Sequence, residues 1–264
     1  MLRIGGVPEH FNAPWHLMLD EKPGLFDWID FPGGTGAMLT SLQNGEVDVV
    51  VALTEGLVKA KCEGAAIDIV DWYVTSPLLW GIHVATYSSF QKVGDLAHAR
   101  AAISRPMSGS DLMTEVLRKR EQWLSEPMKV TVGNLDGGIK ALSEGNADYF
   151  LWERFTTQFA VDAGLFRRVG ELPSPWPCFA IAIRSDMSAE KRSHFDAIWS
   201  DLLPFCRLMH SEPGMAQVLS DRYQISIPLV EEWLSITQWR GRSWHADSLR
   251  EMVELLKPFG LIKT

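Results

Sequence analysis

The chain has 264 residues, with 25 lysines and arginines against 33 aspartates and glutamates, for a net charge of -8. That length buries a sizeable core without disulfide staples, either as one large domain or as two smaller lobes. The acidic balance, with no block of like charge and no basic stripe, argues against nucleic acid or an anionic membrane surface as partner and leaves a small molecule as the expected one.

In chain order, the first strand is expected at residues 2–7. The loop PEHFNAPW follows, with Asn12 placed as N-cap and Pro14 near the first turn of a short helix that ends before Pro23 and Gly24. A second strand spans residues 26–31. The glycine-rich GGTG then opens a helix carrying Met38, Leu39 and Leu42, which stops at Gly45 and gives way to an apolar strand at 47–53 with a polar exit at Thr54 and Glu55. A helix closing at Gly64 and a strand at 67–74 follow. This alternation predicts a parallel sheet covered on both faces.

The pattern recurs 100 residues on. Leu42, Gly45, Asp48 and Gly64 map onto Leu142, Gly145, Asp148 and Gly164, and an acidic residue stands at each strand exit, Glu55 and Glu153. A period this long indicates two duplicated lobes and not a solenoid. Two further twins, SPLLWGIHVA at 76–85 and SPWPCFAIAI at 174–183, read as strands that carry the chain between the lobes as a two-strand hinge. The expected division is therefore residues 1–86 plus 184–264 for the first lobe and 87–183 for the second. Within the second lobe, strands are expected at 101–104, 128–132, 148–152 and 166–172. Helices there carry Leu112 to Leu117 and span 139–142 and 155–161. From Ser188 onward the chain is helical, with a bend expected at Pro204 and helices at 214–223, 228–239 and 246–256.

Cys62, Cys178 and Cys206 are odd in number and lack disulfide or metal spacing, so reduced thiols are expected, with no metal and no cofactor. Met1 leads straight into LRIGGV without a basic or long apolar segment, and no run reaches membrane-spanning length. The expected setting is cytoplasmic, or periplasmic if a leader was trimmed.

In parallel sheets ligands bind outside the carboxyl ends of the strands. Position thus selects the candidates: His10, Phe11 and Asn12; Gly34, Thr35 and Gly36; Thr54 and Glu55; Ser108, Gly109 and Ser110; Asn134 to Asp136; Trp152 and Glu153; and Trp176 beside the hinge. The loops at 33–36 and 108–110 open helices, whose N-terminal N–H groups suit a carboxylate, phosphate or sulfonate, although Thr35 and Ser108 read equally as plain caps. Glu55 and Glu153 could hold an amine or protonated heterocycle or act as acid and base, against the alternative of a brace or a solvated charge. Trp152 and Trp176 could stack on a flat ligand or pack in the core. His10 could serve as acid, base or donor, or sit as a capping histidine, and Cys178 reads as a buried thiol. GGTG lacks both the G-x-G-x-x-G spacing and the Walker lysine, which disfavours nucleotide loops.

Taken together, PEHFNAPW, GGTGAML, GEVDVVVALTEG, SPLLWGI, SRPMSGSDLM, FLWE and PWPC resemble the type II periplasmic-binding-protein fold. The resemblance is to the branch of sulfonate, nitrate and thiamine-pyrimidine solute receptors, and within it to a small cytoplasmic subgroup of unknown ligand. It implies an α/β fold of two Rossmann-like lobes with parallel-dominated mixed sheets, a two-strand hinge and C-terminal helices, closing on a ligand. It also implies that Asn12, Thr35, Glu55, Ser108, Ser110 and Trp152 line the cleft. The implied function is binding of a small polar, planar or heterocyclic metabolite as solute-binding protein, sensor or carrier. An ABC permease enters as partner only if a signal peptide was removed. The alternative is an enzyme on the same scaffold in thiamine-precursor or menaquinone-type metabolism. Against the pyrimidine-precursor synthase stand the missing cysteine-rich iron motif and the lack of a marked Schiff-base lysine.

Overall fold

The computed structural model describes residues 1–262. It divides into two compact units: unit 1 is Met1–Pro77 with Trp176–Leu255, and unit 2 is Leu78–Pro175 with the chain from Leu256 onward.

Unit 1 is built on strands β1 (Arg3–Gly6), β2 (Asp27–Asp30), β3 (Val49–Leu53), β4 (Ile67–Val74) and β10 (Phe179–Arg184), ordered β2-β1-β3-β10-β4. β1 pairs in parallel with β2 and β3, while β10 runs antiparallel between β3 and β4. Residues Val49, Val50, Val51 and Ala52 are fully buried on both faces of β3, as expected of a central strand between helical layers. Helices α1 (Ala13–Glu21), α2 (Gly34–Gln43) and α3 (Thr54–Cys62) connect the parallel strands. Gly34 takes a φ of +65° at the opening of α2, a conformation L side chains rarely adopt, which explains a glycine there.

The C-terminal helices are α7 (Ala189–Ser211), α8 (Met215–Tyr223), α9 (Ile227–Ile236) and α10 (Ser248–Leu256). Ser188 caps α7 by accepting from the Lys191 N–H, and α7 packs on α1, with the Trp15 and Trp199 rings stacked 6.0 Å apart. Pro204, where a bend was expected, lies inside α7, which runs on through it to Ser211.

Unit 2 repeats the topology with β5 (Leu79–Ala85), β6 (Ala101–Ile103), β7 (Lys129–Thr131), β8 (Tyr149–Glu153) and β9 (Phe166–Pro173), ordered β7-β6-β8-β5-β9. β6 is parallel to β7 and β8, and β5 is antiparallel to β8 and β9. The helices are α4 (Gly109–Arg120), α5 (Leu135–Ser143) and α6 (Gln158–Asp162).

The duplicated Leu-x-x-Gly-x-x-Asp is the same device in both units. In unit 1 the Arg3 amide and guanidinium donate to Asp48 Oδ2 at 2.9 and 3.2 Å, and Arg3 Nη2 donates to Gly45 O at 2.8 Å. In unit 2 Arg100 does the same to Asp148 at 2.7 and 3.0 Å and to Gly145 O at 2.7 Å. The helix end, the turn and two neighbouring strand starts are tied by one arginine.

The lobe boundaries expected from the sequence need correcting. β5 was placed with residues 1–86 but belongs to the sheet of unit 2, and β10 was placed with 87–183 but belongs to the sheet of unit 1. The two strands do not pair with each other as a hinge; each lies inside its own sheet. Their side chains explain why. Ile82 and Val84 on β5, and Ala180, Ile181 and Ala182 on β10, are fully buried, and an interior strand also needs partners for its backbone on both sides. The crossings between units fall in the Pro-marked segments 75–78 and 174–178 instead. The tail beyond Leu256, assigned from sequence to the first lobe, goes with unit 2. Among the described residues, no helix is long and apolar enough to cross a membrane.

Candidate functional site

β1 and β3 are parallel neighbours, so the residues that follow them share one edge of the unit 1 sheet. β10 runs the other way, so the residues just before it reach the same edge. A 3-10 turn at His10–Asn12 follows β1, α3 begins directly at Thr54, and Trp176 precedes β10. The polar exit loop expected at Thr54 and Glu55 is therefore the first turn of a helix. Contacts bind these pieces together. The Phe11 and Phe179 rings lie 5.1 Å apart, Phe179 pairs with Leu53, and the Thr54 N–H donates to Cys178 O at 3.0 Å.

Glu55 is buried, and its Oε2 accepts from Trp176 Nε1 at 2.8 Å. Burial pushes its carboxyl up to about 7, against the pull of its own backbone N–H and the Trp176 donor. It forms no ion pair among the described residues. Asn12 is fully buried; its Nδ2 donates to Val7 O at 2.7 Å, while Oδ1 has no partner among the described residues. It occupies the N-cap position of α1 without capping it. A Cβ on Gly6 would lie 2.7 Å from Asn12 Nδ2 and 2.6 Å from the Trp28 ring, so only glycine lets β1 pass beneath them. The Thr54 hydroxyl is also fully buried and unpartnered among the described residues. Most buried polar atoms are hydrogen-bonded, so two orphaned oxygens beside a buried carboxyl mark a place where a polar partner fits.

The other unit 1 candidates have structural roles. Phe11 is buried against Phe179 and Trp233, and its carbonyl accepts from Tyr73 Oη and Trp239 Nε1 at 2.8 and 3.0 Å. His10 lies between Phe11 and Trp233, with ring centroids 4.7 and 4.4 Å away, and burial lowers its imidazole to about 3, so it is neutral. Thr35 Oγ1 accepts from the Leu53 N–H at 3.1 Å, joining the α2 start to the end of β3. Gly34 supplies the turn. Trp176 was a candidate for stacking on a ligand; it is buried, and its N–H is used to hold Glu55.

In unit 2 the equivalent edge carries a serine cluster. Ser108 caps α4, accepting from the Asp111 N–H, and its Oγ lies 3.0 Å from that of Ser110. Ser110 Oγ accepts from the Ser104 N–H at 2.9 Å. Gly109 is the first residue of α4. Asn134 is an exposed cap that accepts from the Gly137 N–H at 2.9 Å. Glu153 is buried, and its Oε2 accepts from the Thr156 N–H at 2.6 Å. Burial raises its carboxyl, opposed by Thr156, the Phe155 backbone and the Arg154 charge. One Glu153 oxygen is thus braced by its own turn, whereas Glu55 is held by its own backbone N–H and the Trp176 side chain. Trp152 is half-buried, with its ring 5.2 Å from Phe150.

Several contributors were missed from sequence. Trp233 and Trp239 come from the C-terminal helical region, in which no chemistry was read, and close over His10 and Phe11. Ser104 completes the serine cluster, and His83 on β5 bonds to Thr157 at 3.1 Å behind Glu153. Only Ser104, the first residue of SRPMSGSDLM and four residues before the α4 N-cap Ser108, carried a local signal. Among the described residues, no group of three or more His, Cys, Asp or Glu side chains is placed to hold a metal ion.

Residues 80–172 match the family described as Ca3427-like PBP. No curated protein matches the chain. Among solved structures, the CA3427 gene product of Candida albicans, described as defining a new family with the generic periplasmic binding protein fold, is similar with a TM-score of 0.89. Its identity is 21%, over 100% of this chain and 91% of that one. The alkanesulfonate-binding protein SsuA from Xanthomonas axonopodis pv. citri, bound to MOPS, gives 0.78 at 17% identity over 100% and 94%. PhnD1 from Prochlorococcus marinus, in complex with methylphosphonate, gives 0.63 at 11% identity over 99% and 98%. The chain has the type II periplasmic-binding-protein fold: two mixed α/β sheets of one topology, each with a single antiparallel strand inserted next to the edge.

Proposed function

We propose that the protein binds a small polar organic molecule, as a solute-binding protein, sensor or carrier, at the strand-exit edges that carry Asn12, Thr54 and Glu55 in unit 1 and the serine cluster, Trp152 and Glu153 in unit 2. The observation that carries this reading is the orphaned pair of buried oxygens, Asn12 Oδ1 and Thr54 Oγ1, at the same sheet edge as a buried carboxyl that has no cationic partner among the described residues. The half-buried ring of Trp152 favours a planar or heterocyclic ligand. The MOPS and methylphosphonate found in two similar structures are small polar molecules as well. Three free cysteines suit a reducing, cytoplasmic setting; an ABC permease is a partner only where a leader precedes this sequence.

Native mass spectrometry of the purified protein, followed by identification of any released molecule, tests the reading. The identified molecule is expected to raise Tm in the wild type and to lose that effect in Glu55→Gln or Trp152→Ala. If no molecule from a metabolite extract raises Tm, or both variants respond like the wild type, the reading is wrong.

One observation favours a second reading, an enzyme on the same scaffold: a buried carboxyl near pH 7 has the proton affinity of a general acid or base. Turnover of the bound molecule by the wild type and not by Glu55→Gln would establish it, and an unchanged ligand after prolonged incubation would exclude it.

A further inference from the structure

A buried carboxylate in a folded protein is paired or hydrogen-bonded several times over, because an uncompensated charge in a low-dielectric site is costly. Glu153 meets this expectation in part: its Oε2 accepts from the Thr156 N–H, while its Oε1 has no hydrogen-bond partner among the described residues. Glu55 does not: Trp176 holds one oxygen, and no lysine, arginine or histidine figures among the groups acting on it. Two oxygens are orphaned at the same edge, and both can accept. Asn12 has its orientation set by donating Nδ2 to Val7 O at 2.7 Å, since the flipped amide would bring two acceptors face to face, so the group left over is an acceptor. The Thr54 hydroxyl has two acceptor lone pairs to offer. The Trp176 N–H is used on Glu55, while the indole N–H of Trp233, over His10 and Phe11, is a buried donor without a hydrogen-bond partner among the described residues. The β1 and β3 exits thus present three groups that can accept, one of them a carboxyl that is ionised above about pH 7.

We propose that the ligand carries a primary ammonium group, and that this group docks at the β1 and β3 exits of unit 1 with its three N–H donors directed to Asn12 Oδ1, Thr54 Oγ1 and the Glu55 carboxylate. An ammonium offers three donors and no acceptor, which matches three acceptors, and it supplies the missing countercharge. Aliphatic acids, sulfonates and phosphonates without an amine leave all three groups unsatisfied. The inference rests on the small-molecule-binding reading above and specifies the ligand class for its unit 1 edge.

The test uses matched probes that differ only in the amine: 2-aminoethanesulfonate against ethanesulfonate, 3-aminopropionate against propionate, and benzylammonium against benzyl alcohol, by calorimetry and thermal shift at pH 8. The amine member of at least one pair is expected to bind about 10- to 100-fold more tightly than its counterpart. That preference should collapse in Glu55→Gln, which keeps an acceptor for Trp176, and weaken in Thr54→Val. If amine and counterpart bind equally, or no amine binds at millimolar concentration, the inference is overturned. The binding reading survives that result as long as some other molecule raises Tm, and it fails separately if none does. Because the wild-type comparison needs no variant, misfolding of a substituted protein does not rescue the inference.

Discussion

Glu55 lies in the first turn of α3, where a helix dipole favours a negative charge, yet burial outweighs that help and lifts its carboxyl from 4.5 to about 7. Between those values the folded protein holds a proton that the unfolded chain has released. The stability contributed by the neutral form is therefore complete below pH 4.5 and lost as pH rises through 7, a change of about 3 kcal/mol. The buried imidazoles of His10 and His83, lowered from 6.5 to about 3, pull the other way: their contribution is complete above pH 6.5 and lost as pH falls towards 3. Subtracting one urea-unfolding series from another isolates the carboxyl. Glu55→Gln should gain stability relative to wild type as pH rises from 4.5 to 7, with the two parallel outside that window; a flat difference would mean that Glu55 is paired in solution. Trp176→Phe removes the donor that stabilises the ionised form, so the Glu55 carboxyl should titrate above 7 in a carbon-13 NMR titration, and an unchanged midpoint would show that the indole contributes nothing. Sequence position alone placed Glu55, Asn12 and Thr54 after strands, because strand exits are legible from pattern. It did not separate them from Phe11 or Trp176, whose roles are set by Phe179, Trp233 and Glu55 arriving from distant parts of the chain.

At the level of elements, the arginine brace shows what a repeat can and cannot reveal. Leu-x-x-Gly-x-x-Asp was visible twice because a helix end, a turn and a strand start lie within seven residues. Arg3 and Arg100 were not, since they stand at the start of β1 and just before β6 and are separated by 97 residues and not 100. Likewise the 76–85 and 174–183 twins were legible as strands, but their sheet membership depends on pairing with residues far along the chain. The two braces are not equal. Burial pushes Asp48 up, but Arg3 and Lys191 together hold it below the usual carboxylate range, and its side chain is 6% exposed. Asp148 is held down by Arg100 alone and is 22% exposed. Replacing Asp48 by Asn leaves two cations facing a neutral amide in a drier site. Asp48→Asn should therefore cost about 2 kcal/mol and Asp148→Asn about 1 kcal/mol in urea unfolding. Equal losses would show that Lys191 adds nothing.

Across the whole molecule, two units and their shared topology could be anticipated from the duplication, while the path of the C-terminus could not. Helical spacing places α10 without saying what it packs on, and a segment that changes unit within a few residues carries no compositional mark. Met252 is buried in the part of α10 that belongs to unit 1, and Leu256, fully buried at its end, belongs to unit 2. The 3-10 turn Lys257–Phe259 that follows packs on α4, the helix whose start carries Ser108 and Ser110. Leu256 thus anchors the tail within the unit that holds the serine cluster. Leu256→Ala removes a buried side chain that cannot be replaced by local collapse without moving the tail, at a cost of about 2–4 kcal/mol. Because the loss falls on unit 2, hydrogen exchange should accelerate at the α4 amides while the β1 and β3 amides keep their protection. If the two sets of amides accelerate together, the units unfold as one cooperative body and the tail stabilises both. If neither changes, Leu256 is not the anchor that its burial indicates.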